Sequence, residues 1–168
     1  KAIKSYELLA SSDEDDAMQL AKDLQDINRK RQQMTRTITK RAIEIVMTSD
    51  TDQFLLSAAD GDFHSGLAGL VASNLSQKAY LPAMIGEKKG RKITGSARSI
   101  PEFHITEALD KCSSLLIRHG GHAAAAGFTL ESKNWDQFVT QLQTLAKEQL
   151  SDMKPRPILM IDAEVTLR

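Results

Sequence analysis

The chain has 168 residues, equal numbers of basic and acidic side chains, and a formal net charge of zero. That length suits one domain or one domain with part of a second, and the neutral total excludes a protein that coats nucleic acid by bulk charge. No apolar run approaches the roughly 20 residues of a membrane span and no signal peptide opens the chain, while lone Cys112 excludes an internal disulfide or a cysteine-cluster metal site, so a cytoplasmic protein with no membrane partner is expected.

Residues 2–10 read as a short helix. Ser11 followed by Glu14 is a capping box, and Asp13, Asp15 and Asp16 add negative charge where a helix dipole favours it. From there Leu20, Leu24, Ile27, Met34, Ile38, Ala42 and Ile45 recur at helical spacing, with no Pro or Gly in residues 12–48. A continuous helix of that length would reach about 54 Å. Arg31 interrupts its apolar stripe, so its two ends are expected to pack on different bodies; a helical hairpin is the alternative. Residues 29–41 carry six basic side chains and no acid, as a solvated helix face would.

Residues 53–59 suit a buried strand, and Asp60-Gly61-Asp62 a turn. Phe63-His64-Ser65-Gly66 leads into a helix whose Gly66, Ala68, Gly69 and Ala72 make it thin on one side, fit for close packing on a sheet. Residues 82–86 and 92–97 read as two strands of a hairpin around the basic turn Lys88-Lys89-Gly90. Pro101 precedes a helix with Ile105, Ala108, Leu109, Cys112, Leu115 and Leu116 on one face and Thr106 as a candidate cap; Gly120-Gly121 is expected to end it. Residues 126–130 form a strand. Trp135, Phe138, Val139, Leu142 and Leu145 line a helix ending near Ser151, with Trp135 read as core rather than as a base-stacking platform. Pro155 and Pro157 make a linker, and residues 158–167 an extended segment suited to be one strand of a further domain. The chain lacks an initiator Met and stops while still apolar, so a piece of a longer protein is expected. Strands separated by helices indicate an α/β domain with a mixed sheet flanked by helices, preceded by a long connecting helix.

Gly120-Gly121-His122 offers two readings on its own. The glycines can simply stop a helix. They can also bring backbone N–H groups close to an anion, with the His122 imidazole as a second donor. Arg98, at a strand end beside Ser96 and Ser99, could fork onto two phosphate oxygens or sit in a surface ion pair.

Three segments decide between these readings together. The helix opening from Phe63-His64-Ser65-Gly66 to Ala72-Ser73, the strand end Gly95-Ser96-Ala97-Arg98-Ser99, and Gly120-Gly121-His122 with Ala125-Ala126-Gly127 resemble, in order and spacing, the motifs of the DHHA1 domain. The wider family is the DHH/DHHA1 phosphoesterases. Within it the chain is most similar to the RecJ-type single-strand-specific 5′-to-3′ DNA exonucleases, because of the long helix and the exit segment after Pro155. The resemblance divides the chain into a helical connector from a DHH domain (1–48), a DHHA1 domain (49–152), and a linker with the start of an OB-type domain (153–168). Phe63 stands where relatives usually carry Trp, and Asn74 where they usually carry Arg.

The resemblance implies metal-dependent phosphodiester hydrolysis in the longer protein. It places Mn²⁺ or Mg²⁺ in the DHH domain and no cofactor in this chain, where His64, His104, His119 and His122 show no ligand spacing. It implies a phosphate-binding role for Arg98, Ser96, Gly120, Gly121 and His122, with His122 near the leaving group and the glycines in a phosphate-facing turn. It also brings His64 toward the cleft, a position that a helix cap or core role would equally explain. Single-stranded DNA is the implied partner, with single-strand-binding protein and repair or recombination factors beyond it. Two other readings remain: a nanoRNA or cyclic-dinucleotide phosphodiesterase, and a non-catalytic nucleic-acid-binding scaffold.

Overall fold

Helices α1 (Ala2–Ala10) and α2 (Glu14–Met47) open the chain in a computed structural model that describes residues 2–48, 53–153 and 155–164. With neither Gly nor Pro inside it, α2 is continuous and forms no hairpin. Its cap differs from the expected Ser11–Glu14 box. The Asp13 carboxylate, one charge closer to the first turn, accepts the Asp16 N–H at 2.9 Å, and Ser11 bonds only to the Asp13 backbone. Lys4 pairs with Asp23 at 2.6 Å, joining α1 to α2. The hydrogen bond from Lys4, then that from Gln19, holds the Asp23 carboxyl below its usual range.

By contact density the chain divides into Lys1–Arg41 and Ala42–Arg168. The second unit continues as β1 (Leu56–Asp60), α3 (Ser65–Ala79), β2 (Ala83–Lys89), β3 (Lys92–Arg98), α4 (Ile105–Lys111), β4 (Leu116–His122), β5 (Ala125–Glu131) and α5 (Trp135–Leu150). The five strands form one mixed sheet in the order β1-β2-β3-β5-β4. Only the β1–β2 pair is parallel. The expected hairpin of residues 82–97 is β2–β3, its strands running up to Gly90, whose φ of 59° is the left-handed geometry that glycine adopts freely.

Alternation along the strands assigns the two faces. Met84 of β2, Ile93 and Ala97 of β3, and Ala126, Phe128 and Leu130 of β5 enter one core with Ile105 and Leu109 of α4 and Phe138 and Leu142 of α5. Trp135 joins this core as expected, with its ring centroid 6.3 Å from those of Phe128 and Phe138. Cys112 is fully buried here, and desolvation pushes its thiol up to about 11. It is therefore protonated and inert at neutral pH. On the other face α3 covers β2 and β3, burying Ala68, Val71, Ala72 and Leu75. Within this unit α3 makes its sheet contacts on β2 and β3, and leaves the same face of β5 and β4 largely open among the described residues.

The expected run of the fourth helix as far as Gly120 fails. The α4 helix stops at Lys111, and a 3₁₀ turn over Ser113–Leu115 leads straight into β4. Gly120, Gly121 and His122 are thus strand residues, not a helix stop or a turn. Leu115 and Leu116 fit the helical period locally, but pairing with the largely buried β5 takes the chain into a strand from Leu116 onward, with a register shift before Arg118. In the exit segment, residues 155–164 are in neither helix nor strand, and residues 165–168 lie outside the described residues.

The sheet is closely packed at Gly95. A methyl there would collide with the Ile85 carbonyl and come within 2.6 Å of Phe128 Cζ. Neither neighbour is a flexible side-chain end. Gly95→Ala is expected to destabilise the fold by about 1–3 kcal/mol, read as a lower urea midpoint at unchanged slope.

Candidate functional site

The open half of the α3 face is built by pairing register. Residues directly opposite each other in a sheet project to the same face. Arg98 of β3 lies opposite Ala125 of β5, and Ala125 lies opposite His122 of β4. Arg98 and His122 therefore flank small Ala125 in one row, roughly 10 Å apart at the backbone, two strand spacings. The next row is Ser96, Gly127 and Gly120, and the one after it Thr94, Thr129 and Arg118. Arg98, Ser96, Gly120 and His122 thus share one face. Gly121 faces the other way, and His64 stands apart from the group.

Arg98 is held in place without being neutralised. Its Nη1 donates to the Ala97 carbonyl at 2.8 Å. Its guanidinium lies against Gly69 of α3, where an added methyl would stand 2.6 Å from Nη2. No carboxylate among the described residues forms an ion pair with it, so the surface-pair alternative is not what the structure holds. The guanidinium is half-buried and fixed in direction, ready for two anionic oxygens. The Ser96 hydroxyl beside it makes no hydrogen bond among the described residues.

His122 is exposed, and its imidazole also makes no hydrogen bond among the described residues. Its backbone is nonetheless anchored. Thr106, expected as a helix cap, instead donates its hydroxyl to the His122 carbonyl at 2.8 Å. The next two carbonyls accept from Ile105 N–H at 3.0 Å and Ser99 N–H at 2.9 Å. Three hydrogen bonds therefore lock the β4–β5 turn onto the start of α4 and the end of β3. Sequence reading missed Thr106 because a hydroxyl near a helix start looks like a cap; the actual cap is His104, whose Nδ1 accepts the Glu107 N–H at 3.2 Å.

The two glycines have different duties. Gly121 packs on β5, where a methyl would strike the Ala125 carbonyl and stand 2.5 Å from Ala126 Cα. Gly120 has nothing within 4 Å of where its methyl would be, so its bareness serves no contact in the fold.

His64 occupies the N-cap position of α3, exposed and without a side-chain capping bond. The cap comes instead from Glu87 of β2, whose Oε2 accepts the Ser65 N–H at 2.9 Å. Hydrogen bonds from Ser65, side chain and then backbone, lower the Glu87 pKa. The α3 N-terminus is thus already occupied by a carboxylate. No hydrogen bond or ion pair joins His64 to Arg98, Ser96 or His122 among the described residues.

Metal ligation has no basis here: no group of three His, Cys, Asp or Glu side chains among the described residues could hold an ion. The residues present do not fit a divalent metal. No helix among the described residues is long and apolar enough to cross a membrane.

The DHHA1 domain pattern matches residues 51–151. The chain belongs to the DHHA1 domain family. This DHHA1 chain is 34 % identical over 165 residues to the single-stranded-DNA-specific exonuclease RecJ of Bacillus subtilis, covering 96 % of the chain and 21 % of that protein. It is 28 % identical over 168 residues to RecJ of Dickeya dadantii, covering 95 % of the chain and 29 % of the relative. The crystal structure of RecJ from Thermus thermophilus in complex with Mg²⁺ superposes with a TM-score of 0.78 at 26 % identity, over 88 % of this chain and 23 % of that one. The mixed sheet with flanking helices is therefore a RecJ-like DHHA1 fold, and the chain spans between a fifth and a third of the length of these relatives.

Two outcomes test the site's construction. Gly69→Ala is expected to raise helix stability by up to about 1 kcal/mol, since Ala is the better helix former, while displacing the Arg98 guanidinium; thermal melts and anion titrations would move in opposite directions. Gly121→Ala is expected to destabilise by about 1–3 kcal/mol, as an overpacking change does, and Gly120→Ala by less than about 1 kcal/mol, as read by urea denaturation.

Proposed function

We propose that this chain supplies the phosphate-binding wall of a RecJ-like, metal-dependent 5′-to-3′ exonuclease that acts on single-stranded DNA. The observation that carries the reading is the shared face: an uncompensated Arg98 guanidinium, the unpartnered Ser96 hydroxyl, bare Gly120 and the His122 imidazole, all in register over small side chains. Each is a donor or an open approach, and none is an acid. Such a surface selects an anion with several oxygens, and a phosphodiester is one. The similarity to proteins named as single-stranded-DNA-specific exonucleases supports DNA as the strand.

In this reading Arg98 forks onto two oxygens of one phosphate, and Ser96 and the Gly120 N–H approach the same strand. His122 donates to a phosphate oxygen at or next to the bond that breaks, where an N–H can steady the leaving oxygen. Gly121 acts indirectly, by letting β4 approach β5. His64 serves as a flanking contact at the mouth of the cleft. Hydrolysis itself belongs to the DHH part of the longer protein, which supplies the chemistry of Mg²⁺ or Mn²⁺. Residues 1–48 are then the connector from that part, 49–152 the DHHA1 domain, and 153–168 the linker toward an OB-type domain. A cytoplasmic protein working with single-strand-binding protein in repair or recombination fits this role.

The isolated chain is expected to leave a labelled single strand intact in added Mn²⁺ or Mg²⁺, and to bind it in a salt-sensitive manner. Arg98→Ala should weaken binding about 10-fold, the worth of one charged hydrogen-bonding contact, and His122→Ala by a smaller factor, in fluorescence anisotropy. Equal binding by wild type and both variants would sink the assignment.

A further inference from the structure

Beyond the Arg98–His122 row, the same open face continues into a cleft of about 300 Å³ lined by Thr94, Arg118, Gly120, Gly127 and Thr129 among others. We propose that this cleft is a second phosphate subsite, centred on Arg118, that holds a different phosphate of the same strand; the inference rests on the single-strand-binding reading above.

Distance separates the two subsites. His122, Gly120 and Arg118 are alternate residues of β4 on one face, so Arg118 stands about 14 Å along the strand from His122. Arg118 Nε is held by Thr129 across β5 rather than turned along β4 toward His122, so the two side chains address different phosphates. A strand lying along β4 and β5 would cross bare Gly120 and Gly127 between them, where nothing projects to block its backbone.

The chemistry of the cleft suits an anion. Arg118 Nε donates to Thr129 Oγ1 at 3.3 Å, which aims the exposed guanidinium over β5 and leaves both Nη groups without a partner among the described residues. No carboxylate among those residues pairs with it. Thr129 and Thr94 share one hydrogen bond between their hydroxyls at 3.3 Å. Two hydroxyls bring two hydrogens, and one bond between them uses one. The remaining hydrogen is free to point into the cleft as a further donor. The cleft thus presents a guanidinium and a hydroxyl, with glycine backbone between them. This repeats the Arg98–Ser96 pairing on a second row. The β-bulge between Leu116 and Arg118 marks where the strand is re-aimed so that this arginine meets Thr129.

The test uses the 168-residue chain and two probes, a labelled oligothymidylate of about 12 nucleotides and thymidine 5′-monophosphate as competitor. Arg118→Gln is expected to bind the long strand about 10-fold more weakly and to flatten the plot of log affinity against log salt by about 0.7, the value for one phosphate contact on a single strand. Arg118→Lys should restore the slope. Thr94→Val should weaken binding without changing it. The mononucleotide should bind wild type and Arg118→Gln alike, because it needs only the Arg98 row. Unchanged affinity and slope in Arg118→Gln, with Arg98→Ala still defective, would overturn the second subsite alone. Equal loss of mononucleotide and long strand would merge Arg118 into the first site and also overturn it. Failure of the wild type to bind any strand would remove the parent reading and this one together.

Discussion

The register of β3, β5 and β4 is the constraint on which the candidate site depends. Side chains alternate between faces with a period of two residues, so a slip of one position in either pair would turn the affected strand over. A slipped β4 would send His122, Gly120 and Arg118 to the α4 side and leave Arg98 alone. Two features hold the register. Ala126, Phe128 and Leu130 are buried against α4 and α5, which fixes the face that β5 presents. The β4–β5 turn is bonded through consecutive carbonyls to Thr106, Ile105 and Ser99, which fixes the offset of β4. The apolar core on one side of the sheet therefore positions the polar row on the other.

Glycine contributes by absence at three levels. At Gly95 it lets β3 lie close under Phe128, at Gly121 it lets β4 close on β5, and at Gly69 it leaves a notch in α3 that receives the Arg98 guanidinium. That notch does two things for the arginine. It removes part of the side chain from water and limits its rotamers, so less entropy is lost when an anion arrives. It also replaces the carboxylate that would otherwise hold an arginine still, leaving the charge unspent. At the α3 N-terminus the opposite solution is used: Glu87 occupies the positive end of the helix.

A neutral protein can in this way present a locally cationic face. The two arginines on the open face are set by hydrogen bonds and packing rather than by charge density.

Much of the domain was legible in the sequence. Periodicity marked α2, α3 and α5, and the basic glycine turn marked the β2–β3 hairpin, because both signals arise from residues near one another in the chain. The three motif segments, by resemblance, pointed to the DHHA1 family before any coordinates. What local order could not convey was the state of Gly120-Gly121-His122. Leu115 and Leu116 continue a helical pattern, and only pairing with the following strand β5, buried against α4 and α5, turns Leu116 into the entry to a strand. Nor could it reveal that Thr106 holds the His122 carbonyl, that Gly69 makes room for Arg98, or that Arg118 stands on the same face. Each of these joins positions far apart in the chain, and such contacts come into being only when strand register and helix packing are chosen together.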